Sequence, residues 1–175
     1  MKKIFLVAAA FLSIFIFGAG ISSAQGNLGI VIVGGAEFKT ADYYKIVSQT
    51  FKLQENFKIG DEMQSKYQRF LMENDLLDEK IPRKQHLLDF TAQSGCEEIL
   101  FLIIDSTADH QNNGKRRQKN RLSVQVDAYL CDSYKILEGA TFVKDSKSKT
   151  SDLRARREAF KKCLTELAKV INVSA

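Results

Sequence analysis

The chain has 175 residues, of which 45% are hydrophobic and 27% are charged, and its formal net charge is +5. The composition is that of a globular protein. The positive excess is too small to indicate by itself a protein that binds nucleic acid or an anionic membrane.

The first 24 residues have the three parts of a secretory signal peptide. Lys2 and Lys3 form a positive n-region, and in the apolar run from Ile4 to Gly20 only Ser13 is polar. The segment Ser22-Ser23-Ala24 then offers small residues at the −3 and −1 positions of a cleavage site. An uncleaved transmembrane anchor is the alternative, since about 20 apolar residues can span a bilayer. The small residues, and the lack of charge after them, favour cleavage after Ala24.

Cleavage leaves residues 25–175, which are predicted to form a single globular α/β domain without a transmembrane segment. The loss of Lys2 and Lys3 lowers the formal charge from +5 to +3. A lipoprotein signal would place an acylated cysteine where this chain has Gln25. The mature protein is therefore predicted to be exported, periplasmic or secreted, and not lipid-anchored.

Three cysteines follow the signal segment: Cys96, Cys131 and Cys163. No CxxC pattern is present, and no histidine lies at metal-ligand spacing from a cysteine. Free buried thiols and one disulfide both remain open interpretations. No metal and no cofactor is predicted from these residues.

The first half of the mature chain predicts one strand and two helices. Leu28 to Val33 is continuously apolar and β-branched, which is typical of a strand buried on both faces. Thr40 is placed to cap a helix from Ala41 to about Phe51. Gly60 to Asn74 predicts a second helix, because Met63, Tyr67, Phe70 and Leu71 share one face.

A third helix and a central strand follow. Pro82 suits the first turn of the helix, and Gly95 suits its left-handed end. Ile99 to Ile104 is a second buried apolar run, expected to close at Asp105. Ser106 to Asn120 has almost no apolar residue and is predicted to be a loop.

The last part of the chain predicts a hairpin and a closing helix. Arg121 to Cys131 alternates apolar and polar residues, which indicates an antiparallel strand with one wet face. Tyr134 to Val143 is the expected return strand, and the polar segment Lys144 to Thr150 is expected to be a loop. Ser151 is placed to cap a helix from Asp152 to Asn172, whose core stripe is predicted to be Phe160, Cys163, Leu164, Leu167, Val170 and Ile171.

This order of elements predicts an α/β or α+β fold. We expect a single mixed sheet of about four to five strands covered by helices, with the two buried runs paired in parallel. Ile32, Leu102 and Leu167 are expected to share one core.

The segments "GIVIVGG", "FLMENDLL", "GCEEILFLII" and "RLSVQVDAYLCDSYKILEGATFV", with the long closing helix, resemble small α/β domains of bacterial envelope proteins. The order of elements is similar to that of the TolB N-terminal domain and of the core of the curli secretion lipoprotein family. This chain lacks the lipobox of the secretion family and the propeller of TolB. The resemblance implies a non-catalytic domain that binds proteins and assembles in the envelope. It assigns no residue of this chain to a functional site.

Two clusters of basic residues are candidate partner contacts. The first lies in the predicted hairpin loop and consists of Lys115, Arg116, Arg117, Lys119 and Arg121. The second lies on the closing helix, where Arg154, Arg157 and Lys161 share one face and Arg156 and Lys162 flank them. Solvated surface is the alternative interpretation of both clusters. Nucleic acid is not the expected partner, because the first cluster contains no aromatic residues for base stacking.

Other patterns gave no catalytic residue. Gly34-Gly35 lacks the further glycines of a phosphate-binding loop, so a plain turn is favoured. His86 and Cys96 could form a nucleophile pair only if the fold brought them together. Asp105, Asp109 and His110 could hold a cation, but no regular ligand spacing supports a site.

The sequence therefore predicts an exported, non-catalytic envelope or secreted module for binding or assembly, with an unidentified protein partner. A small extracytoplasmic hydrolase or transferase with an unrecognised site is the alternative. A small-ligand carrier is a third interpretation. The oligomeric state stays open.

Overall fold

The computed structural model describes residues 28–52, 61–79, 82–109, 120–148 and 151–172. These residues form four strands, four α-helices and one 3₁₀ turn. In chain order they are β1 (Leu28–Val33), the 3₁₀ turn (Ala36–Phe38), α1 (Ala41–Phe51), α2 (Asp61–Glu73), α3 (Lys84–Ser94), β2 (Glu98–Asp109), β3 (Asn120–Cys131), β4 (Ile136–Ser148) and α4 (Asp152–Leu167).

The strands form one mixed sheet in the order β1-β2-β3-β4. β1 and β2 are parallel, with Leu28 opposite Glu98 and Val33 opposite Ile103. β2 pairs antiparallel with β3, and β3 pairs antiparallel with β4. The prediction of an α/β fold with a parallel pair and an antiparallel extension is confirmed.

Helices cover both faces of the sheet and enclose two hydrophobic cores. On one face α1 and α4 pack against alternate residues of the strands, and this first core contains Ile32, Leu102 and Leu167, as predicted. On the other face α2 and α3 pack mainly against β1 and β2, and this second core contains Tyr67, Phe90 and other aromatic residues. The closing helix thus contributes to only one of the two cores.

Strand β1 is buried although it lies at an edge of the sheet. Val31 and Ile32 are fully buried, because one points into each core. The backbone N–H of Ile32 donates to the side-chain carbonyl of Gln64 on α2 at 3.3 Å, and the hydroxyl of Tyr44 on α1 donates to the same oxygen at 3.0 Å. The prediction that this apolar run is buried on both faces is confirmed, although the strand lies at the edge of the sheet.

Strand β3 has the wet and dry faces that its alternation predicts. The apolar residues of the alternating run are buried, namely Leu122, Val124, Val126, Ala128 and Leu130, and the last four belong to the first core. On the other face Gln125 is exposed and Asp127 is partly exposed. Only the end of that face is covered, where Tyr129 and Cys131 pack with the second core.

The hairpin arms are longer than predicted. β2 continues past Asp105 to Asp109, and β4 continues past Val143 to Ser148. These polar ends remain in the sheet because each pairs with β3, with Asp109 opposite Arg121 and Ser148 opposite Asn120. The predicted loops from Ser106 and from Lys144 were wrong at these positions, since ladder hydrogen bonds do not require apolar side chains.

The helix ends differ in detail from the prediction. Thr40 and Ser151 occupy the N-cap positions of α1 and α4 but make no side-chain cap hydrogen bond. Gly95 ends α3 at φ +77°, as predicted. Helix α4 ends at Leu167, and Val170 is 50% exposed, so its place in the core stripe was wrong. Tight turns after Leu167 return Ile171 to the first core.

The predicted signal peptide and its cleavage site lie outside the described residues. Within the described ranges, no helix is long and apolar enough to cross a membrane.

Candidate functional site

The three cysteine side chains are free and buried in the cores. Cys96 and Cys131 lie in the second core and Cys163 lies in the first. Burial raises the pKa of Cys131 to about 12, and the nearby Asp132 adds to that shift. Burial also raises the pKa of Cys163 to about 11. Because the thiolate is the reactive form, Cys131 and Cys163 are poor nucleophiles at neutral pH.

His86 is paired with a carboxylate, since its Nδ1 lies 3.0 Å from Oε2 of Glu79. Glu79 also lies near Tyr67, whose pKa is raised to about 12, chiefly by burial and further by this carboxylate. Asp105 is exposed and accepts the backbone N–H of Ser106. No group of three or more His, Cys, Asp or Glu side chains within the described ranges could hold a metal ion. The side chains of Asp109 and His110 lie outside the described residues.

A cleft of about 570 Å³ lies beyond the carboxyl end of β1, beside Ile103, Ile104 and Asp105 in the middle of β2. Its floor is the uncovered part of the sheet, and its wall is the last turns of α2 with the chain that follows. The polar side chains that line it are Lys39, Gln68, Glu79, Asp105, Gln125 and Asp127. Clefts at this end of an α/β sheet commonly bind ligands, because the loops diverge there.

Beside the cleft, polar side chains on the open face of the sheet bond to one another. Asp127 Oδ1 accepts a hydrogen bond from the hydroxyl of Thr141 at 2.6 Å, and Asp127 also accepts from the amide of Gln125. Val143 on β4 is 53% exposed on the same face. This part of the sheet is a polar surface with satisfied partners.

Of the first basic cluster, only Arg121 is described, at the start of β3. Lys115, Arg116, Arg117 and Lys119 lie outside the described residues. The guanidinium of Arg121 pairs with Asp145 on β4. Together with the hydroxyl of Ser123, that pairing lowers the pKa of Asp145 below its usual range. A direct partner contact by Arg121 would have to compete with this carboxylate.

The second basic cluster is described in full, and its members have different environments. Arg157 pairs with Asp42 at the start of α1. Arg154 and Lys161 are exposed, and neither makes an ion pair with a described residue. They lie one turn before and one turn after Arg157, on the solvent side of α4.

The flanking residue Lys162 links the two clusters through one acidic residue. Its ammonium donates to the backbone carbonyl of Asp145 at 3.2 Å, while the carboxylate of Asp145 holds Arg121. The basic end of the hairpin and the middle of α4 therefore meet at β4. This proximity is not predictable from the sequence, because the contact is between residues far apart in the chain.

The other flanking residue, Arg156, lies at the seam between α1 and α4. Its guanidinium carbon is 5.7 Å from the centre of the Phe38 ring. The Tyr43 ring lies 5.2 Å from Phe38 and 5.2 Å from Phe160, so the three rings pack together. Tyr43 is fully buried, and its hydroxyl has no hydrogen-bond partner among the described residues. The sequence alone does not single out Tyr43, because its spacing is that of an ordinary core residue.

No protein-family model matches the chain, and no curated protein matches its sequence. Two solved structures have a low similarity to it. One is a protein from Caulobacter crescentus CB15 proposed to be a lipoprotein, with 10% identity and a TM-score of 0.35 over 86% of this chain and 88% of that chain. The other is a minor lipoprotein from Acinetobacter baumannii, with 12% identity and a TM-score of 0.29 over 83% of this chain and 87% of that chain.

Both solved structures are described as bacterial lipoproteins or candidates for that class. Neither is described as a TolB domain or a curli secretion lipoprotein, so that resemblance stays a prediction. Their descriptions differ from the expectation, drawn from Gln25, that this chain carries no lipid. At TM-scores below 0.5 these similarities assign no role to the chain.

Proposed function

We propose that the protein is an exported, non-catalytic binding module of the cell envelope whose helix α4 contacts an acidic protein partner. The observation that carries this proposal is the state of Arg154 and Lys161. Both are exposed on one rigid helix, and neither is neutralised by a described carboxylate.

The packing of α4 supports a contact role for its outer side. Its inner side is fixed in the first core by residues such as Phe160, Leu164 and Leu167, all fully buried. A helix held in this way presents its outer side chains without loss of backbone order on binding, which lowers the entropic cost of association.

The charge on this outer side favours an acidic partner. Arg154, Arg157 and Lys161 lie together, and the acidic residues near them are Glu158 on the same helix and Asp42 on α1. Exposed charges of one sign increase the rate of encounter with an opposite charge, and salt weakens the effect.

The environment of the reactive groups supports a non-catalytic role. The thiols of Cys131 and Cys163 are buried with raised pKa values. Nucleophilic catalysis requires a reactive group that substrate can reach beside a base that activates it. These two thiols do not meet that requirement.

Export is the first part of the proposal to test. We expect the mature protein to begin at Gln25, without a lipid, because the first 24 residues have the pattern of a cleaved signal. Mass spectrometry of the protein from cell fractions measures both properties. An intact Met1–Ala24 segment, or an added acyl mass, would contradict this part.

The contact is tested with a triple variant, Arg154→Ser, Arg157→Ser and Lys161→Ser. A matched control, Arg69→Ser, Lys84→Ser and Lys135→Ser, removes the same charge from exposed sites on α2, on α3 and in the β3–β4 turn. Both variants should keep the denaturation midpoint close to that of the wild type, because exposed substitutions have small effects. Partners are captured from an envelope extract at low and at high salt.

The first variant should lose a partner that the wild type and the control both retain at low salt. High salt should release that partner from the wild type. Equal capture by all three proteins, or capture that salt does not weaken, would mean that the charges of α4 are only solvated surface.

The cleft beyond the end of β1 supports a second candidate function, that of a small-ligand carrier. Its volume of about 570 Å³ is within the usual range for ligand sites. Gln68→Trp would place a large side chain in this cleft from the wall formed by α2. A polar metabolite that raises the melting temperature of the wild type but not of this variant would favour the carrier.

A further inference from the structure

We propose that the seam between α1 and α4 is a binding site for a phosphate group, formed by Arg156, Arg157, Tyr43 and the first turn of α1. The proposal goes beyond contact by the outer side of α4, with which it shares only Arg157. It names the chemical group that would be recognised.

Three buried donor groups at this seam have no hydrogen-bond partner among the described residues. They are the hydroxyl of Tyr43, the Nε–H of Arg156 and the Nε–H of Arg157. A buried donor without an acceptor costs about 1–3 kcal/mol. A phosphate group has several oxygens that accept hydrogen bonds. One phosphate could therefore remove this cost at more than one of the three donors.

The three donors belong to one neighbourhood. Arg156 lies over Phe38, and the ring of Phe38 contacts the ring of Tyr43. Arg157 holds Asp42, which precedes Tyr43 in the chain. The two guanidiniums also act on Tyr43 electrostatically, since they oppose the rise in pKa that burial causes at its hydroxyl.

The start of α1 adds to the attraction for an anion. An α-helix has a partial positive charge at its N-terminus, where the first N–H groups have no acceptor within the helix. Thr40 precedes the helix but makes no side-chain cap hydrogen bond. The side-chain cap is therefore missing from this 11-residue helix at a point next to Arg157, although the backbone N–H of Tyr43 donates to the carbonyl of Thr40 at 3.0 Å.

Two carboxylates compete with a bound phosphate. Asp42 occupies Arg157, and Glu37 lies close enough to raise the pKa of Tyr43 further. The side chain of Asp42 is 58% exposed and that of Arg157 is 38% exposed. Because this ion pair is at the surface, it contributes little stability, and a doubly charged phosphate can replace Asp42 on Arg157.

The proposal predicts opposite effects for two neighbouring substitutions. Tyr43→Phe removes one donor and should weaken phosphate binding about tenfold, as expected for a hydrogen bond to a charged group. Asp42→Asn removes the competing charge and should strengthen binding several-fold. A variant at Asp152, in the first turn of α4, controls for the loss of one negative charge: Asp152→Asn should leave the affinity within about twofold.

The experiment follows the Nε–H signals of the arginines by NMR in the purified exported protein. Inorganic phosphate is titrated at constant ionic strength, with chloride as the reference anion. Vesicles of phosphatidylglycerol, with phosphatidylcholine vesicles for comparison, form the second arm. If the Nε–H signals of Arg156 and Arg157 shift saturably with inorganic phosphate and not with vesicles, the ligand is a free phosphate. If the protein binds phosphatidylglycerol vesicles more strongly than inorganic phosphate, the ligand is a lipid headgroup.

Shifts no larger with phosphate than with chloride would overturn the proposal, and so would equal affinities in the Tyr43→Phe and Asp42→Asn variants. Failure of the proposed partner contact is distinguishable from this result. The contact concerns Arg154, Arg157 and Lys161 and is measured by capture from an extract, whereas the phosphate site is measured on the isolated protein.

Discussion

The side-chain carbonyl of Gln64 accepts the backbone N–H of Ile32 at 3.3 Å and so covers the outer edge of strand β1. The same oxygen accepts the hydroxyl of Tyr44 at 3.0 Å, which ties α1 to α2 across that edge. An edge strand with unpaired backbone groups tends to pair with other chains. Gln64 therefore has a structural role that its position on a polar helix face does not reveal.

Gln64→Ala should destabilise the protein by about 1–3 kcal/mol, because the backbone N–H of Ile32 and the hydroxyl of Tyr44 each lose their hydrogen bond to this side chain. The measurement is the free energy of unfolding from urea denaturation. Ser65→Ala, at the next and exposed position of α2, is the control and should change it by less than about 0.5 kcal/mol. Equal effects of the two substitutions would show that Gln64 does not stabilise the edge.

Leu102→Ala should destabilise the protein by about 2–5 kcal/mol, the usual range for a buried leucine. Leu102 is fully buried in the first core, between residues from α1 and α4. Leu153→Ala is the control, since Leu153 is 45% exposed at the start of α4. A loss below about 1 kcal/mol at Leu102 would contradict the packing described for this core.

Cys131 and Cys163 should react slowly with a thiol-alkylating reagent in the native protein. Both are fully buried, and burial raises their pKa values to about 12 and about 11. Because they lie in different cores, on opposite faces of the sheet, they should not form a disulfide with each other. Mass spectrometry after alkylation, with and without denaturant, counts the reactive thiols, and rapid native labelling at either position would refute the prediction.

The ion pair of Arg121 with Asp145 should stabilise the protein fully above about pH 4 and progressively less below it. The pKa of Asp145 is lowered in the folded protein, so its contribution is present above the unfolded value of about 3.9. The contribution is lost as the pH falls through the folded value, because the carboxyl then binds a proton. Both side chains are well exposed, so the effect should be about 0.5 kcal/mol or less.

A double-mutant cycle measures this effect. Arg121→Gln, Asp145→Asn and the double variant are unfolded at pH 6 and near pH 2.5. We expect a small favourable coupling energy at pH 6 that disappears at the acidic pH. A coupling that stays constant between the two conditions would show that the pair is not linked to ionisation of Asp145.

The fold was predictable where one residue pattern had a single structural solution. The alternation from Leu122 to Leu130 could only form a strand with one wet face, and the apolar run from Ile99 could only be buried. The ends of β2 and β4 were not predictable, because Ser106 and Lys144 stay in the sheet through backbone pairing with β3. Side-chain type contains no information about such a partner.

The candidate site was less predictable than the fold. The spacing of Arg154, Arg157 and Lys161 correctly placed them along one helix, but only the fold shows that Arg157 meets Asp42 of α1. The missing partner of Tyr43 is also a tertiary property. Contacts between elements distant in the chain decide which charges are neutralised, and local sequence cannot specify them.

The central claim is that α4 contacts a partner in the envelope, and site-specific photo-crosslinking in living cells tests it most directly. A photoreactive residue is placed at Lys161 on α4 and, in a second protein, at Gln93, which is exposed on α3 on the opposite face of the sheet. We predict one discrete crosslinked product from position 161 that is absent from position 93. That product should disappear when Arg154 and Arg157 are changed to Ser. Identical products from the two positions, or no product from position 161, would contradict the claim.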